Sequence, residues 1–416
     1  MHVLSIIHYP VFGGPHNRNA SVMPGLRARG IETTILLPDE PGNAVDHLAA
    51  RGVPVITMPL HRLRGASNLA ENATMVATFR SDVRRLRGVI RRQHVDLLLV
   101  NGLVNPHGAI AARLESVPVV WQLLDTFAPM VLRRAMMPLV SALAGAVMSS
   151  GMGVAREHPG ALAFGERLVP FFSIVDGQHF RNGAPARARA RVELGLAPDD
   201  LVVGNVNNLN PMKGHDTFVR AAAALRRQRP NVRFVILGAQ YAQHSSYTNA
   251  LWRDAERLGL RLGKELIVID PGDRVAALAP AFDIFWLSSN PRSEGVSTVV
   301  GEAMALELPV VATDVGSVRE ALVDQLTGRP SVPAGHLVPA CDPEALATAT
   351  LPLVDDPRLR QAMGGAGRVR AEELYSLAAC TEQHVAAFSH ALRHQATSNA
   401  SGPTIQNHHL AGLVQS

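Results

Sequence analysis

Short apolar runs alternate with longer stretches of helical spacing along this chain, stop, and then begin again. Strands are expected near Val3 to Ile7, Thr33 to Leu37, Val55 to Met58, Asp96 to Val100, Val119 to Leu123 and Ala146 to Ser150. A second series follows near Leu201 to Val206, Val232 to Leu237, Leu266 to Ile269, Ile284 to Leu287 and Pro309 to Thr313. Parallel strands joined by helices are covered on both faces and therefore read as unbroken apolar runs, so the pattern specifies βαβ units. Between the two series, Val169-Pro170-Phe171-Phe172 closes the first alternation and Asp176-Gly177 turns the chain. The expected fold is α/β, with two Rossmann-like, doubly wound parallel-sheet domains facing across a cleft. The first occupies residues 1–172, a linker 173–185 and the second domain 186–375. A helix over 376–394 packs back toward the first domain, and a disordered tail rich in Ser, Thr, Asn, Gln and His covers 395–416.

A chain of 416 residues has room for two such cores, and 47% apolar with 18% charged residues is the composition of a soluble globular protein. The start, Met1-His2-Val3-Leu4-Ser5-Ile6-Ile7, reads as a first strand and not a secretory signal, so a cytoplasmic location is expected. Met136 to Ala155 is apolar but interrupted by Pro138 and glycines, and reads as a helix followed by a strand. Cys341 and Cys380 cannot form a disulfide framework or a four-ligand zinc site and are expected to be packing residues. Residues 1–170 hold seventeen arginines, no lysine and eleven acidic residues, so the basic excess lies in the first half, and the chain's two lysines, Lys213 and Lys264, both lie in the second.

Open parallel sheets bind ligands beyond the carboxyl ends of their strands, so the loops after the strands are the place to look for chemistry. One such loop leads into Ser293-Glu294-Gly295-Val296-Ser297-Thr298-Val299-Val300-Gly301-Glu302-Ala303-Met304-Ala305. A helix starting near Ser297 would aim free backbone N–H groups at the cleft, a site for a phosphate. Glu294 in the loop and Glu302 on the helix can each accept hydrogen bonds from hydroxyls of one ligand. A second loop, Asn207-Asn208-Leu209-Asn210-Pro211-Met212-Lys213-Gly214, sets a lysine after the first strand of the second domain, where it can face a diphosphate.

The run from Glu294 to Glu302, continued by Leu308-Pro309-Val310-Val311-Ala312-Thr313-Asp314-Val315-Gly316, resembles the E-x7-E signature of retaining glycosyltransferase family 4, the glycosyl transferases group 1 of GT-B architecture. Lys213-Gly214 resembles the end of that family's G-R-L-x-x-x-K-G loop, with Asn208 where the family has an arginine. Weaker matches are Gly13-Gly14 after the first strand, Leu237-Gly238-Ala239, and Gly335-His336-Leu337-Val338 followed by Asp342-Pro343-Glu344-Ala345-Leu346. The resemblance implies transfer of a sugar, hexose-like, from a nucleotide-diphosphate sugar to an acceptor hydroxyl with retention, in cell-surface polysaccharide or glycoconjugate synthesis. It assigns Glu294 to the transferred sugar and Glu302 to the ribose. Gly13, Gly14, Asn208, Lys213, Gly238, Gly295, Val296 and Ser297 complete the implied donor site. In the first domain the strand Val119-Val120-Trp121-Gln122-Leu123 leads to Leu124-Asp125, resembling a place where the family carries histidine and then aspartate, and Asp125 joins Glu294 and Lys213 as a catalytic candidate.

No cofactor is implied beyond the nucleotide sugar as co-substrate, and the absence of D-x-D removes the usual ligands of a metal clamp. Nor are there G-x-S-x-G, G-x-x-x-x-G-K-[ST] or H-E-x-x-H motifs for hydrolase, ATPase or zinc-protease chemistry. Asn208 and Leu124 favour an alternative, a catalytically impaired sugar-nucleotide or glycan-binding protein of the same fold, and a sugar-nucleotide epimerase is a further rival. The acceptor is expected to be a glycan or a lipid-linked sugar, with His16, His107 and Asp125 as candidate contacts. Residues 76–92 place Val76, Phe79, Val83, Leu86 and Ile90 on one helical face beside Arg80, Arg84, Arg87 and Arg91. That arrangement suits peripheral contact with anionic lipid at the inner face of the membrane. Without aromatic interleaving or a recognised module, nucleic acid is not an expected partner.

Overall fold

The computed structural model describes residues 1–64, 68–323 and 333–400, with side chains through residue 397. The first sheet contains β1 (His2–Ile6), β2 (Glu32–Pro38), β3 (Val55–Met58), β4 (Leu97–Asn101), β5 (Val119–Leu123), β6 (Ala146–Ser149) and β7 (Leu168–Pro170). They lie in the order β3-β2-β1-β4-β5-β6-β7, all parallel. The second contains β8 (Leu201–Val206), β9 (Val232–Leu237), β10 (Leu266–Ile269), β11 (Ile284–Leu287), β12 (Val310–Thr313) and β13 (Gly335–Val338), in the parallel order β10-β9-β8-β11-β12-β13. In each sheet the order reverses beside its first strand, at β1/β4 and at β8/β11, and a crevice opens at such a switch point.

Every residue of β4, β5, β6, β11 and β12 is buried, which explains why the sequence carries them as continuous apolar runs. Two edge strands lie outside the expected set. β7 is three residues long and ends in a proline, and β13 contains Gly335 and His336, so neither has a strand-like run of its own. Both are held by register: Val147 pairs with Leu168, and Val310 with Gly335. A side chain at Gly335 would collide with the Val310 carbonyl, so glycine is required for that pairing.

After the first domain the chain crosses through Phe171 to Val175 and returns at Tyr375; the two crossings touch, with Val175 N–H donating to the Tyr375 carbonyl at 2.8 Å and the rings of Phe172 and Tyr375 edge-on at 5.2 Å. The helix Leu377–Ala400 then lies on the first sheet, burying Cys380, Ala387, Phe388 and Ala391 against Val3, Leu97, Leu99, Val120 and Met148. It continues past the expected end at residue 394. No proline or glycine interrupts it before Gly402, and Gln395 reaches across to the Ser116 carbonyl. The rest of the expected tail, 401–416, lies outside the described residues.

Met136 to Ala155 divides into the helix Met130–Leu143 and β6, and no helix among the described residues is long and apolar enough to cross a membrane. The helix Leu69–Arg92 departs from the expected face: Val83, Leu86 and Ile90 are buried, but Val76 is 71% exposed. Arg87 and Arg91 both bond Glu115, at 2.5 and 2.6 Å, so two of the four arginines of the expected basic edge share one carboxylate within the domain. Of the cysteines, Cys380 is buried as expected, whereas Cys341 is exposed with its Sγ 3.3 Å from Asn290 Oδ1.

Candidate active site

Because β8 and β11 are neighbours, the loops that follow them run side by side at the cleft. Lys213 Nζ stands 2.7 Å from Glu294 Oε1, and Ser289 Oγ donates to the same oxygen at 2.6 Å. Glu294 is only 6% exposed; a carboxylate so buried is stable where it is paired and hydrogen-bonded. The loops are stitched by Ser288 Oγ to the Lys213 carbonyl at 3.1 Å, Asn290 Nδ2 to the Pro211 carbonyl at 2.8 Å and Asn290 N–H to the Met212 carbonyl at 2.9 Å. Gly214 has φ +62°, and a side chain there would meet the Ser288 carbonyl oxygen, so this glycine permits the two loops to touch.

The helix Thr298–Ala305 starts one residue beyond the expected position, with Ser297 as its N-cap. Ser297 makes no capping bond, and its buried Oγ has no partner among the described residues, which leaves the first amides of the helix without a side-chain acceptor. Gly295 is explained by the other domain, since a Cβ there would collide with the Leu124 carbonyl oxygen. Val296 is half-buried in the same turn.

Glu302 lies among Val206, Val275, Phe285, Val299 and Leu306, with no hydrogen-bond partner for its carboxylate among the described residues. Burial in these apolar surroundings pushes its pKa up to about 7. The acid therefore sits ready for donors that the protein itself does not supply.

Asn208 is exposed, and its Oδ1 accepts from the Ala239 N–H at 3.2 Å. It braces the loop and offers no positive charge. Gly238 is required by the protein's own packing, because a side chain would strike the Asn207 carbonyl; no ligand need be invoked. Gly13 and Gly14 differ: neither is buried, and a Cβ on either would meet nothing within 4 Å. The space in front of them is open.

The first-domain candidates separate. Asp125 is exposed at the end of β5, with Oδ1 accepting from the Phe127 N–H at 2.9 Å. His16 is buried and engages the backbone through both ring nitrogens, Nδ1 accepting from Gly13 N–H at 3.2 Å and Nε2 lying 2.9 Å from the Tyr9 carbonyl oxygen. It shapes the glycine turn and has no nitrogen left for an acceptor. His107 is fully buried with its ring 4.5 Å from that of Phe79, and burial lowers its pKa to about 4. Of the three expected acceptor contacts, His16 and His107 are buried, and Asp125 is open to solvent.

Several residues at the cleft had little or no sequence signal. Ser289 shares Glu294, Arg292 donates to the carbonyls of Thr126 at 3.2 Å and Phe127 at 2.7 Å, and Ser317 donates to the Ser150 carbonyl at 2.6 Å. The polar triplet Ser288-Ser289-Asn290 after an apolar strand hinted at the first; the others depend on how the domains meet.

The family described as glycosyl transferases group 1 matches residues 186–370, the segment that carries Lys213, Glu294 and Glu302. Residues 186–370 belong to that family. The D-inositol 3-phosphate glycosyltransferase of Segniliparus rotundus is 33% identical over 219 residues, 53% of this chain and 46% of that protein. The GDP-mannose-dependent alpha-(1-6)-phosphatidylinositol monomannoside mannosyltransferase of Mycolicibacterium smegmatis is 34% identical over 202 residues, 47% of this chain and 49% of the relative. The chain thus spans about half the length of the curated relatives it matches. Over both domains it has the GT-B fold of Anabaena HepE, crystallised in complex with UDP, with a TM-score of 0.76 at 20% identity and coverage of 94% of this chain and 100% of the other.

Proposed function

We propose that the chain is a retaining, metal-independent glycosyltransferase that moves a sugar, hexose-like, from a nucleotide-diphosphate sugar to a hydroxyl of a glycan or lipid-linked acceptor. The observation that carries this reading is the pairing of Lys213 with Glu294 at 2.7 Å beside the uncapped helix start at Ser297. The diphosphate of the donor is bound by Lys213, by the free amides of that helix and by the open backbone at Gly13-Gly14. When the phosphates take Lys213, Glu294 is released to accept from hydroxyls of the transferred sugar. Glu302, short of hydrogen-bond donors, accepts from the ribose hydroxyls. An acceptor bound over the first domain places its hydroxyl near Asp125, and the leaving phosphate takes the proton. The nucleotide sugar is the co-substrate, and no other cofactor enters.

The names of the relatives direct the choice of donors and acceptors to try: UDP and GDP sugars, and inositol phosphates or phosphatidylinositol glycosides. A place in cell-surface polysaccharide or glycoconjugate synthesis, at the inner face of the membrane, accords with such acceptors. Contact with anionic lipid through 76–92 rests on the exposed Arg84 and Val76 and on Arg80 beside them. One observation supports the second reading, a sugar-nucleotide or glycan-binding protein: Asn208 is occupied with Ala239 and leaves the diphosphate a single side-chain cation in its loop. Incubation of the purified protein with radiolabelled UDP and GDP sugars and these acceptors separates the two. The transferase reading requires transfer or donor hydrolysis that is lost in Glu294→Ala. Donor binding without either would establish the binding protein.

A further inference from the structure

Among the second-domain side chains that reach into the first domain, one is a buried carboxylate. Glu320, 3% exposed on the helix Val318–Leu322, accepts from the backbone N–H of Met152 through Oε2 at 2.6 Å and from that of Gly153 through Oε1. Its own backbone is fixed from behind, with Arg370 donating to the carbonyls of Glu320 at 2.6 Å and Ala321 at 2.7 Å. The surfaces meet without spacer atoms: a side chain at Gly153 would strike the Gly316 carbonyl, and one at Gly151 would strike Ser317.

The same segment holds the donor loop. Ser317 N–H donates to the Gly295 carbonyl at 3.1 Å, and Gly316, at φ +55°, packs against the Glu294 and Gly295 backbone. On its far side that loop is tied to the first domain by Arg292. The Glu294 loop is therefore clasped between the segment after β5 and the segment carrying Glu320.

We propose that Glu320 is a positioning residue for sugar transfer: docked on the Met152 and Gly153 amides, its carboxylate sets the register in which the Glu294 loop faces Asp125. A carboxylate suits a joint that must open. Docked, it makes two charge-assisted hydrogen bonds; undocked, it is hydrated by cleft water, so separation leaves no buried charge unsatisfied. An apolar contact of the same extent would resist release. Placement of reacting groups is steeply coupled to rate, since a displacement of about 1 Å can cost on the order of a hundredfold. The link to transfer rests on the proposed function, whereas the docking itself does not.

The test compares Glu320→Ala and Glu320→Gln with Gly153→Ala, which wedges the same contact from the other domain while keeping a helix-favouring residue. Amide hydrogen exchange at Met152 and Gly153 is expected to accelerate about tenfold or more in all three, with β8 and β11 unchanged. UDP and GDP are expected to bind within about twofold of wild type, because the side chains proposed to hold the nucleotide, Lys213 and Glu302, belong to the second domain and the first adds only the Gly13-Gly14 backbone, while kcat for transfer falls about tenfold or more with the donor KM little altered. Unchanged exchange would overturn the docking. Nucleotide affinity falling in step with kcat would overturn the positioning role and leave Glu320 a folding residue of the second domain. If the wild-type protein bound neither nucleotide, the transferase reading would fail, and the exchange result would still decide the docking.

Discussion

Replacing Glu302 by glutamine should make the protein more stable and worse at binding a nucleotide. The carboxyl is surrounded by apolar side chains and its pKa is raised from 4.5 to about 7, so the folded protein keeps a proton that the unfolded chain releases above about pH 4.5. Native stability is therefore unaffected by this group in acid, falls as the pH rises from 4.5, and reaches its full loss above 7. Each tenfold difference in proton affinity between the folded and unfolded chains is worth about 1.4 kcal/mol, which puts that loss at about 3 kcal/mol. Glutamine has nearly the same shape and no charge, so Glu302→Gln should equal wild type near pH 4.5 and exceed it by up to about 3 kcal/mol at pH 8. For the nucleotide the order reverses. Ribose hydroxyls donate to a carboxylate better than to an amide, and hydrogen bonds to a charged group contribute about 1.5–3 kcal/mol, or about ten- to a hundredfold in affinity. Wild-type affinity should also rise from pH 6 to pH 8 as the free enzyme's acid ionises, whereas the variant's should not. Thermal melts from pH 5 to 8, with and without UDP or GDP, and calorimetric titration at the two ends measure both effects. A Glu302→Gln protein with wild-type melting at pH 8 and wild-type nucleotide affinity would refute the reasoning.

Lys213→Met should weaken UDP or GDP binding by about 1.5–3 kcal/mol, measured calorimetrically, and lower the melting temperature without ligand, because Glu294 keeps Ser289 and loses its cation. Asn208→Arg should restore charge to the diphosphate loop and tighten the nucleoside diphosphate about tenfold while leaving the bare nucleoside unchanged; equal effects on both would show that position 208 does not face phosphate. Thr350→Val removes the acceptor of the buried Trp286 indole N–H, now bonded at 2.8 Å, and should cost about 1–3 kcal/mol in denaturant unfolding with nucleotide affinity retained.

The sequence disclosed the central strands because their residues are buried on both faces, and it placed Ser297 at the start of a helix because an apolar strand, a polar loop and a periodic segment followed in order. β7 and β13 were illegible because each is an edge strand defined by its neighbour's register and not by its own composition. At the site, Lys213 and Glu294 were legible as separate motifs, but their contact follows from β8 lying beside β11, which crosses some eighty residues of chain. His16 and His107 misled for one reason: a histidine after a strand has the same appearance whether its ring faces the cleft or the interior. Glu320, Arg292 and Ser317 carry ordinary residue types at ordinary spacings, and only the meeting of two domains gives them partners.

The two crossings between the domains impose a mechanical limit. A domain tethered by one strand can swivel about every axis, but here the outgoing chain at Val175 and the returning chain at Tyr375 are bonded to each other, and the returning chain continues into a helix anchored in the core of the first domain. That joint resembles an axle more than a string. Two bonded crossings restrain twisting and sliding of the cleft walls more than rotation about the line through them. The first domain also depends on the end of the chain for part of its core, so it cannot be separated cleanly from the second by cutting the chain between them.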